Sequence, residues 1–282
     1  MSLCYKFEAK TLIKEGRVSQ NDVEEIKIWL QTTSIPQLHD ELIALFLLSC
    51  QNDVASTQAT IKQHFKIKGD APEFFTERNV DSEVLKKAMN VIVCCSIPKR
   101  MSDNTVIHFF KLTDTNYKNF DLVASMKLSL MLLDVSQRYN PPNQLIVVID
   151  MKGSTFMHLT CLKIMAVKKF IDFMQEAMPL RIHKIHILNA NYIFDKALAI
   201  AKVFMNAELL SQIIPHSPKM TMEEFHRDCI PAAYLPAEYG GNLPSCDELN
   251  QRTVEQFGEL KEFFRADEEL VTCYANNQKQ SR

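Results

Sequence analysis

The sequence predicts an α/β protein, a small helical block followed by a mixed, largely parallel sheet covered by helices. Three observations predict it. Apolar residues recur at helical spacing through the first ninety residues. Beyond residue 91, short β-branched runs alternate with long helical stretches. One of those runs, Leu145-Ile146-Val147-Val148-Ile149-Asp150, is apolar without alternation, the pattern of a strand buried on both faces.

Ser19 opens a helix that places Val23, Ile26, Trp29 and Leu30 at helical spacing. Pro36 interrupts, and Leu38, Leu42, Leu45, Phe46 and Leu48 form a second stripe. Asp53 caps a third helix through Val54, Ile61 and Phe65, which Gly69 closes. A short run over 81–90 leads out of the block. Residues 91–97 and 105–110 read as strands joined by a polar turn, and 120–139 as a helix ending before Pro141-Pro142. The strand over 145–150 follows, then a long helix over 159–178 stopped by Pro179, a strand over 182–188 and a helix over 193–205. From Asp247 a charged amphipathic helix runs into a frayed polar tail. The expected organisation is a helical domain over 1–90, an α/β domain over 91–246 and a C-terminal helix and tail over 247–282.

Composition narrows the function. In 282 residues, 46% hydrophobic and 23% charged side chains suit a folded globular chain rather than a disordered one. Thirty-two Lys and Arg balance 34 Asp and Glu, so no polybasic character draws the chain to nucleic acid. Six glycines argue against glycine-rich phosphate loops. The opening, Met1-Ser2-Leu3-Cys4-Tyr5-Lys6-Phe7-Glu8, lacks the apolar core of a secretory signal, and no apolar run approaches the roughly 20 residues of a membrane span. The eight cysteines (4, 50, 94, 95, 161, 229, 246 and 273) include the vicinal pair Cys94-Cys95 but no CxxC spacing. Free thiols in a cytoplasmic protein, with no metal site, are the expectation.

No catalytic signature stands in the chain: GxSxG, GxxxxGK[ST], HExxH and GxGxxG are all missing. Asp150, at a strand end before Gly153 and Ser154, occupies a place where α/β enzymes keep a carboxylate. The plainer reading is a loop-capping Asp with a turn Gly. His183 and His186 fall on opposite faces of their strand by alternation, a poor geometry for one metal ion and a better one for structural hydrogen bonds. No catalytic residues are expected.

The anomaly is the helix over 193–205. Its polar residues are Asp195, Lys196 and Lys202, while Ile193, Phe194, Ala197, Leu198, Ile200, Ala201, Val203, Phe204 and Met205 fill most of the circumference. Such a helix is buried on more than one side. Either it is a central core helix, or it is a lid whose inner face covers an apolar cavity and whose outer face meets a membrane. The helix over 159–178 has a similar excess in Phe170, Phe173, Met174 and Met178, and 13 methionines suit an adaptable apolar pocket.

Leu235-Pro236-Ala237-Glu238-Tyr239-Gly240-Gly241 closely resembles the LPxEYGG signature of the CRAL-TRIO lipid-binding proteins. Val148-Ile149-Asp150-Met151-Lys152-Gly153 is similar to the family's strand-Asp-x-x-Gly. The passage from Pro179 and Arg181 to Ile185-His186-Ile187-Leu188-Asn189 is similar to one in its α-tocopherol transfer and retinaldehyde-binding branch. The resemblance covers roughly residues 20 to 260.

It implies a sheet-floored cavity for a lipophile, gated by the helix over 193–205 and its continuation to Ile214. Wall positions of the branch fall on Val123, Met126, Leu130, Leu145, Phe170, Phe173, Met174, Met178 and Ile185, with Phe194, Ile200 and Phe204 on the gate. The branch's basic headgroup cleft is largely replaced here. Leu45, Leu48 and Cys50 stand at its helix positions and Glu208, Leu210 and Gln212 at its gate end, leaving Arg181, His183, Lys184 and Lys202 as the candidate anion patch. Ser125, Ser129, Ser154 and Tyr117 are candidates to orient a polar head. The expectation is a non-enzymatic carrier of a tocopherol, retinoid, carotenoid, other terpenoid or phospholipid. Its partners would be that ligand and, transiently, a membrane surface, with no nucleic acid and no cofactor beyond the ligand; a protein partner is not specified. The competing readings are a lipid-sensing regulatory module and a hydrolase or isomerase acting at Asp150 or His186.

Overall fold

The computed structural model describes residues 3–280; Met1, Ser2, Ser281 and Arg282, which fall within the expected first and last segments, lie outside the described residues. Six helices come first: α1 (Ala9–Lys14), α2 (Gln20–Leu30), α3 (Asp40–Ser49), α4 (Val54–Asp70), α5 (Pro72–Phe75) and α6 (Glu83–Val91). Ser19 caps α2 by accepting from the Asp22 amide, and Asp53 caps α4 by accepting from the Ser56 amide at 2.7 Å. Gly69 does not close α4, which runs on to Asp70. The break comes at Ala71, because a residue preceding proline is pushed out of the helical region, and Pro72 then starts α5.

The strands β1 (Ile92–Ser96), β2 (Thr105–Leu112), β3 (Gln144–Asp150), β4 (Ile182–Leu188) and β5 (Ile213–Pro215) form one sheet in sequential order. β1 is antiparallel to β2, and the other three pairings are parallel. Between them lie α7 (Leu122–Gln137), α8 (Ile164–Glu176), α9 (Tyr192–Ala201) and α10 (Ala207–Ser211). Right-handed crossovers between parallel strands in sequential order put every connecting helix on one face. The other face is covered by α11 (Met222–Asp228), the 235–241 loop and α12 (Cys246–Glu259).

Three expectations about these elements are corrected. The helix expected over 159–178 starts only at Ile164, after a 3₁₀ stretch, Phe156–Cys161, closed by reciprocal bonds between Thr155 and His158. The helix over 193–205 loosens into a 3₁₀ turn at Lys202–Phe204; Asn206 then caps a separate α10 through the Leu209 amide at 2.8 Å. The C-terminal tail is not frayed: α13 (Lys261–Gln280) follows α12 and buries Phe263, Phe264, Ala266 and Asp267.

α13 joins the N-terminal helices and one face of α7 in a single packed core, with Phe46, Phe65 and Phe264 enclosed. A buried charge network ties it. Lys68 Nζ lies 2.8 Å from Asp267, Arg78 Nη2 donates to the same carboxylate at 2.6 Å, and Arg78 Nη1 reaches Asp134 at 3.2 Å. Burial alone would raise the Asp267 carboxyl, but Lys68 and Arg78 hold it far below its ordinary value.

Candidate functional site

Strand alternation divides the site from its support. On β2, His108, Phe110 and Leu112 face the connecting helices, while Ile107 and Phe109 face α11 and α12. On β3, Leu145, Val147 and Ile149 share the first face, and Ile146 and Val148 the second. The expectation that β3 is buried on both faces therefore fails on one: Val147 and Ile149 are only half-buried. Their face borders a hollow instead of a packed helix.

That hollow is a cavity of about 370 Å³, within the roughly 300–1,000 Å³ usual for ligand pockets. α7 supplies Leu122, Ser125, Met126, Ser129, Leu130 and Leu133, one face at i, i+3, i+4 spacing. α8 supplies Phe170 and Met174, followed by Met178; the strands supply Leu145, Val147, Ile149, Ile182 and Ile185; α9 closes it with Ile193 and Ala197. Its wall is almost wholly apolar. His108, Lys111, Ser125, Ser129, Asp150, Ser154 and His158 are the polar side chains that reach it. Ser125 and Ser129 donate to the helix carbonyls of Asp121 and Met126, so they offer lone pairs rather than protons. Nε2 of His108 and of His158 are enclosed without a hydrogen-bond partner among the described residues. Burial lowers both imidazoles, His108 to about 3, so each is neutral at pH 7.

Of the wall residues expected from the sequence, Met126, Leu130, Leu145, Phe170, Met174, Met178 and Ile185 line this cavity. Five do not. Phe173 is one position past the lining face of α8 and packs against Phe75 and His64, ring centroids 4.8 and 5.7 Å away. Val123 sits beside the lining face of α7, and Phe194 packs into the core around the cavity without reaching its wall. Ile200 and Phe204 lie past the point where α9 crosses the hollow, and the 3₁₀ turn carries Phe204 away to Gln175. The cavity thus lies under Ile193 and Ala197, not under Phe204. The residues missed include His108, Phe110, Leu112, Val147 and Ile149 on strands and Leu122, Leu133, Ile193 and Ala197 on helices. Of the candidate head-orienting groups, Ser125, Ser129 and Ser154 line the cavity and Tyr117 does not.

α9, the helix expected to act as a gate, lies at the surface, which excludes a central core helix. Ile193 and Phe194 are buried, yet Tyr192 is 61% exposed and Val203 70%. Phe156, Met157, Ile164 and Met165 are exposed as well, on the 3₁₀ stretch that contacts α9 and at the start of α8. Gln175 on α8 latches the far end of the gate, donating to the Phe204 carbonyl at 3.1 Å and accepting from the Asn206 amide at 2.9 Å.

Of the expected anion patch, Arg181, His183 and Lys184 stand near one another, burial and then the charges of Lys184 and Arg181 lowering the His183 imidazole. Arg181 lines a separate polar groove with Cys50, Gln51, Thr60, Glu176, Asn206, Glu208 and Gln212. His183, Lys184 and Lys202 are not in its wall, because alternation splits His183 from Lys184 and the 3₁₀ turn leaves Lys202 exposed. Glu176 and Glu208 line that groove together with Arg181.

The 235–241 loop explains Asp150. Tyr239 Oη donates to Asp150 Oδ2 at 2.6 Å, while Oδ1 accepts from the Lys152 amide at 2.8 Å and Asn189 Nδ2 at 2.6 Å. Burial and that hydrogen bond push the Tyr239 phenol up, keeping it a donor. Gly240 takes φ 70°, and a Cβ on Gly241 would stand 1.8 Å from the Leu235 carbonyl oxygen. The carboxylate is a clamp between the signature loop, the turn after β3 and the gate's base, as the capping reading expected.

A family model described as the CRAL/TRIO domain matches residues 91–241, over half the chain. The chain belongs to the CRAL/TRIO domain family. A second model, the Pinta-like UBA domain, matches residues 16–85 of this CRAL/TRIO protein. Among curated relatives, "Alpha-tocopherol transfer protein-like" of Mus musculus is 24% identical over 222 residues, 77% of this chain and 62% of the relative. The Homo sapiens protein of the same name is 26% identical over 140 residues, 50% of this chain and 40% of its own. "Clavesin-1" of Xenopus laevis is 26% identical over 83% of this chain and 74% of its own. The chain thus spans less than two thirds of the length of the tocopherol-named relatives. The crystal structure of Sfh5 shares the fold, with TM-score 0.51 and 13% identity over 82% of this chain and 92% of that one. Among the described residues, no helix is long and apolar enough to cross a membrane.

Proposed function

We propose that this CRAL/TRIO protein is a non-enzymatic carrier that holds one lipophilic molecule in the cavity and passes it between membranes. The observation that carries the reading is the hollow itself: about 370 Å³ lined by apolar side chains, where a chain of this size would otherwise pack solid. Each CH₂ moved from water into such a wall gains about 0.8 kcal/mol, so a ten-carbon segment gains on the order of 8 kcal/mol without a charged contact. Release into water would forfeit the same energy, so the gate must open against an apolar phase. Its exposed Val203 and Tyr192, with Phe156, Met157, Ile164 and Met165 nearby, supply the face that meets one.

The unpartnered nitrogens of His108 and His158 favour a ligand with a small uncharged hydrogen-bonding head, such as a hydroxyl or carbonyl, over a phosphate. The names of the tocopherol-related relatives agree with that class. Asp150 is clamped by Tyr239, Lys152 and Asn189, which supports a structural rather than a chemical role.

The test has two steps. Solvent extraction of the purified chain, read by mass spectrometry, should return a lipophile, or the emptied chain should load one offered from vesicles. The loaded chain should then move that lipophile from donor to acceptor vesicles. Binding without transfer would favour a lipid sensor, and failure to load any terpenoid or acyl lipid would refute the carrier.

A further inference from the structure

On the sheet face opposite the cavity, two histidines and a cysteine converge. His186 sits on β4, His216 directly after β5, and Cys229 directly after α11. One ligating atom of each lies within 4.8 Å of the other two. The imidazoles stack with centroids 5.1 Å apart and planes at 21°, and His186 Nδ1 lies 2.8 Å from His216 Nε2. One proton serves that contact. Nε2 of His186, on a side chain only 1% exposed, has no hydrogen-bond partner among the described residues, so the ring's polar contact runs through Nδ1 alone. Phe225 closes one side edge-on, 5.5 Å from His186 and 5.2 Å from His216, while half-buried Cys229 leaves an approach from solvent.

We propose that His186, His216 and Cys229 bind a zinc ion, with a fourth position open to water. Two imidazoles and one thiol form a borderline-soft donor set with no carboxylate, which suits zinc and not calcium or magnesium. Burial keeps both rings neutral, with a lone pair each to give. On binding, the thiol proton leaves to solvent, and each ring keeps one N–H on the nitrogen that does not hold the ion. The 2.8 Å ring contact must widen to roughly 3.3 Å, the spacing set by Zn–N bonds of about 2.0–2.1 Å in tetrahedral geometry. The expected absence of a metal site rests on the lack of CxxC spacing among the cysteines and on the opposite faces of His183 and His186; His216 and Cys229, far along the chain, complete the cluster.

The location defines a role. His186 and His216 stand at the two stems of the gate segment, and Cys229 precedes the loop that carries Tyr239. The ion would staple the gate's base to the sheet without touching the cavity, so this inference stands apart from the carrier reading.

The full chain, reduced and stripped with chelator, is titrated with Zn²⁺ against a chromophoric chelator, and separately with Co²⁺. The expected result is one tight equivalent, a thiolate-to-cobalt charge-transfer band, and a melting temperature raised by roughly 5 °C at saturating zinc. Cys229→Ser and His216→Gln should each weaken binding by at least about 100-fold, since outer-shell changes alone cost about 10–100-fold. No saturable equivalent, no charge-transfer band, or unchanged affinity in either variant overturns the site. Zinc held by the exposed Cys4 and Cys273 would give that last result. The cobalt band must persist in a chain carrying Cys4→Ser and Cys273→Ser, whose exposed side chains take no part in the cluster; its loss there overturns the site even where a Cys229 or His216 variant misfolds.

Discussion

α7 belongs to two interiors that obey different rules. Its Ala124, Leu128, Met131, Leu132 and Val135 pack among the N-terminal helices and α13, where side chains and a buried charge network fill the space. Its Ser125, Met126, Ser129, Leu130 and Leu133 face the cavity, where space is left open. Both faces are largely apolar, so hydrophobicity does not distinguish them. What differs is the opposing surface: interdigitated helices on one side, and a sheet spanned by a thin surface helix on the other. The filled half carries stability, and the hollow half is the seat of the proposed carrier function.

The largest expected effect lies in the filled half. Asp267→Ala leaves Lys68 and Arg78 buried with their main partner gone, which should cost about 3–5 kcal/mol in denaturant unfolding. A loss under about 1 kcal/mol would show that the network does not brace this half.

Acid should weaken both halves. His64 in the filled half is lowered to about 3 by burial and by Lys68, with Asp267 opposing and Arg78 adding; it bonds the Ala177 carbonyl at 2.8 Å. His108 in the cavity wall is lowered to about 3 by burial and by Arg100. Each ring binds a proton in the unfolded chain below its ordinary value of about 6.5, yet in the folded chain only near 3. Stability is therefore complete above about pH 6.5 and falls on acidification, by roughly 1.4 kcal/mol per pH unit for each imidazole. Asp134, which burial raises to about 6, takes up a proton in the same range and offsets part of the loss. Denaturant midpoints at pH 7 and pH 5 read the net fall; equal midpoints would contradict it.

Overpacking should separate the halves most directly. Ala44→Phe in the filled core should cost about 1–3 kcal/mol, whereas Val147→Phe in the cavity wall should cost little while excluding ligand. Equal penalties in a thermal melt would mean that the two interiors are packed alike.

The smallest effect on stability belongs to the latch. Gln175→Leu removes both bonds to the gate's end and should cost about 1 kcal/mol or less, while speeding ligand transfer between vesicles several-fold. An unchanged transfer rate would show that the gate is not held there.

The contrast also explains what was legible in the sequence. The strand over 182–188, the signature loop and the helical faces could be read because each depends on local spacing. The family resemblance places Phe170, Met174 and Met178 on the wall, and they line it. Phe173 was drawn in with them, although the helix turns it toward His64, since composition does not show which of two apolar faces borders a hollow. His108, Phe110, Val147 and Ile149 were missed because they share a wall only through the parallel register of β2 and β3, which no local pattern states. The gate's phase was lost at Lys202–Phe204, where the 3₁₀ turn moves Ile200 and Phe204 off the cavity.

The most direct measurement is native mass spectrometry of the chain and of its Val147→Phe variant after incubation with a hydroxylated terpenoid such as a tocopherol. An open hollow predicts one molecule bound per unaltered chain and none on the variant. A chain that stays at its bare mass, or a variant that binds as well as the parent, would contradict it.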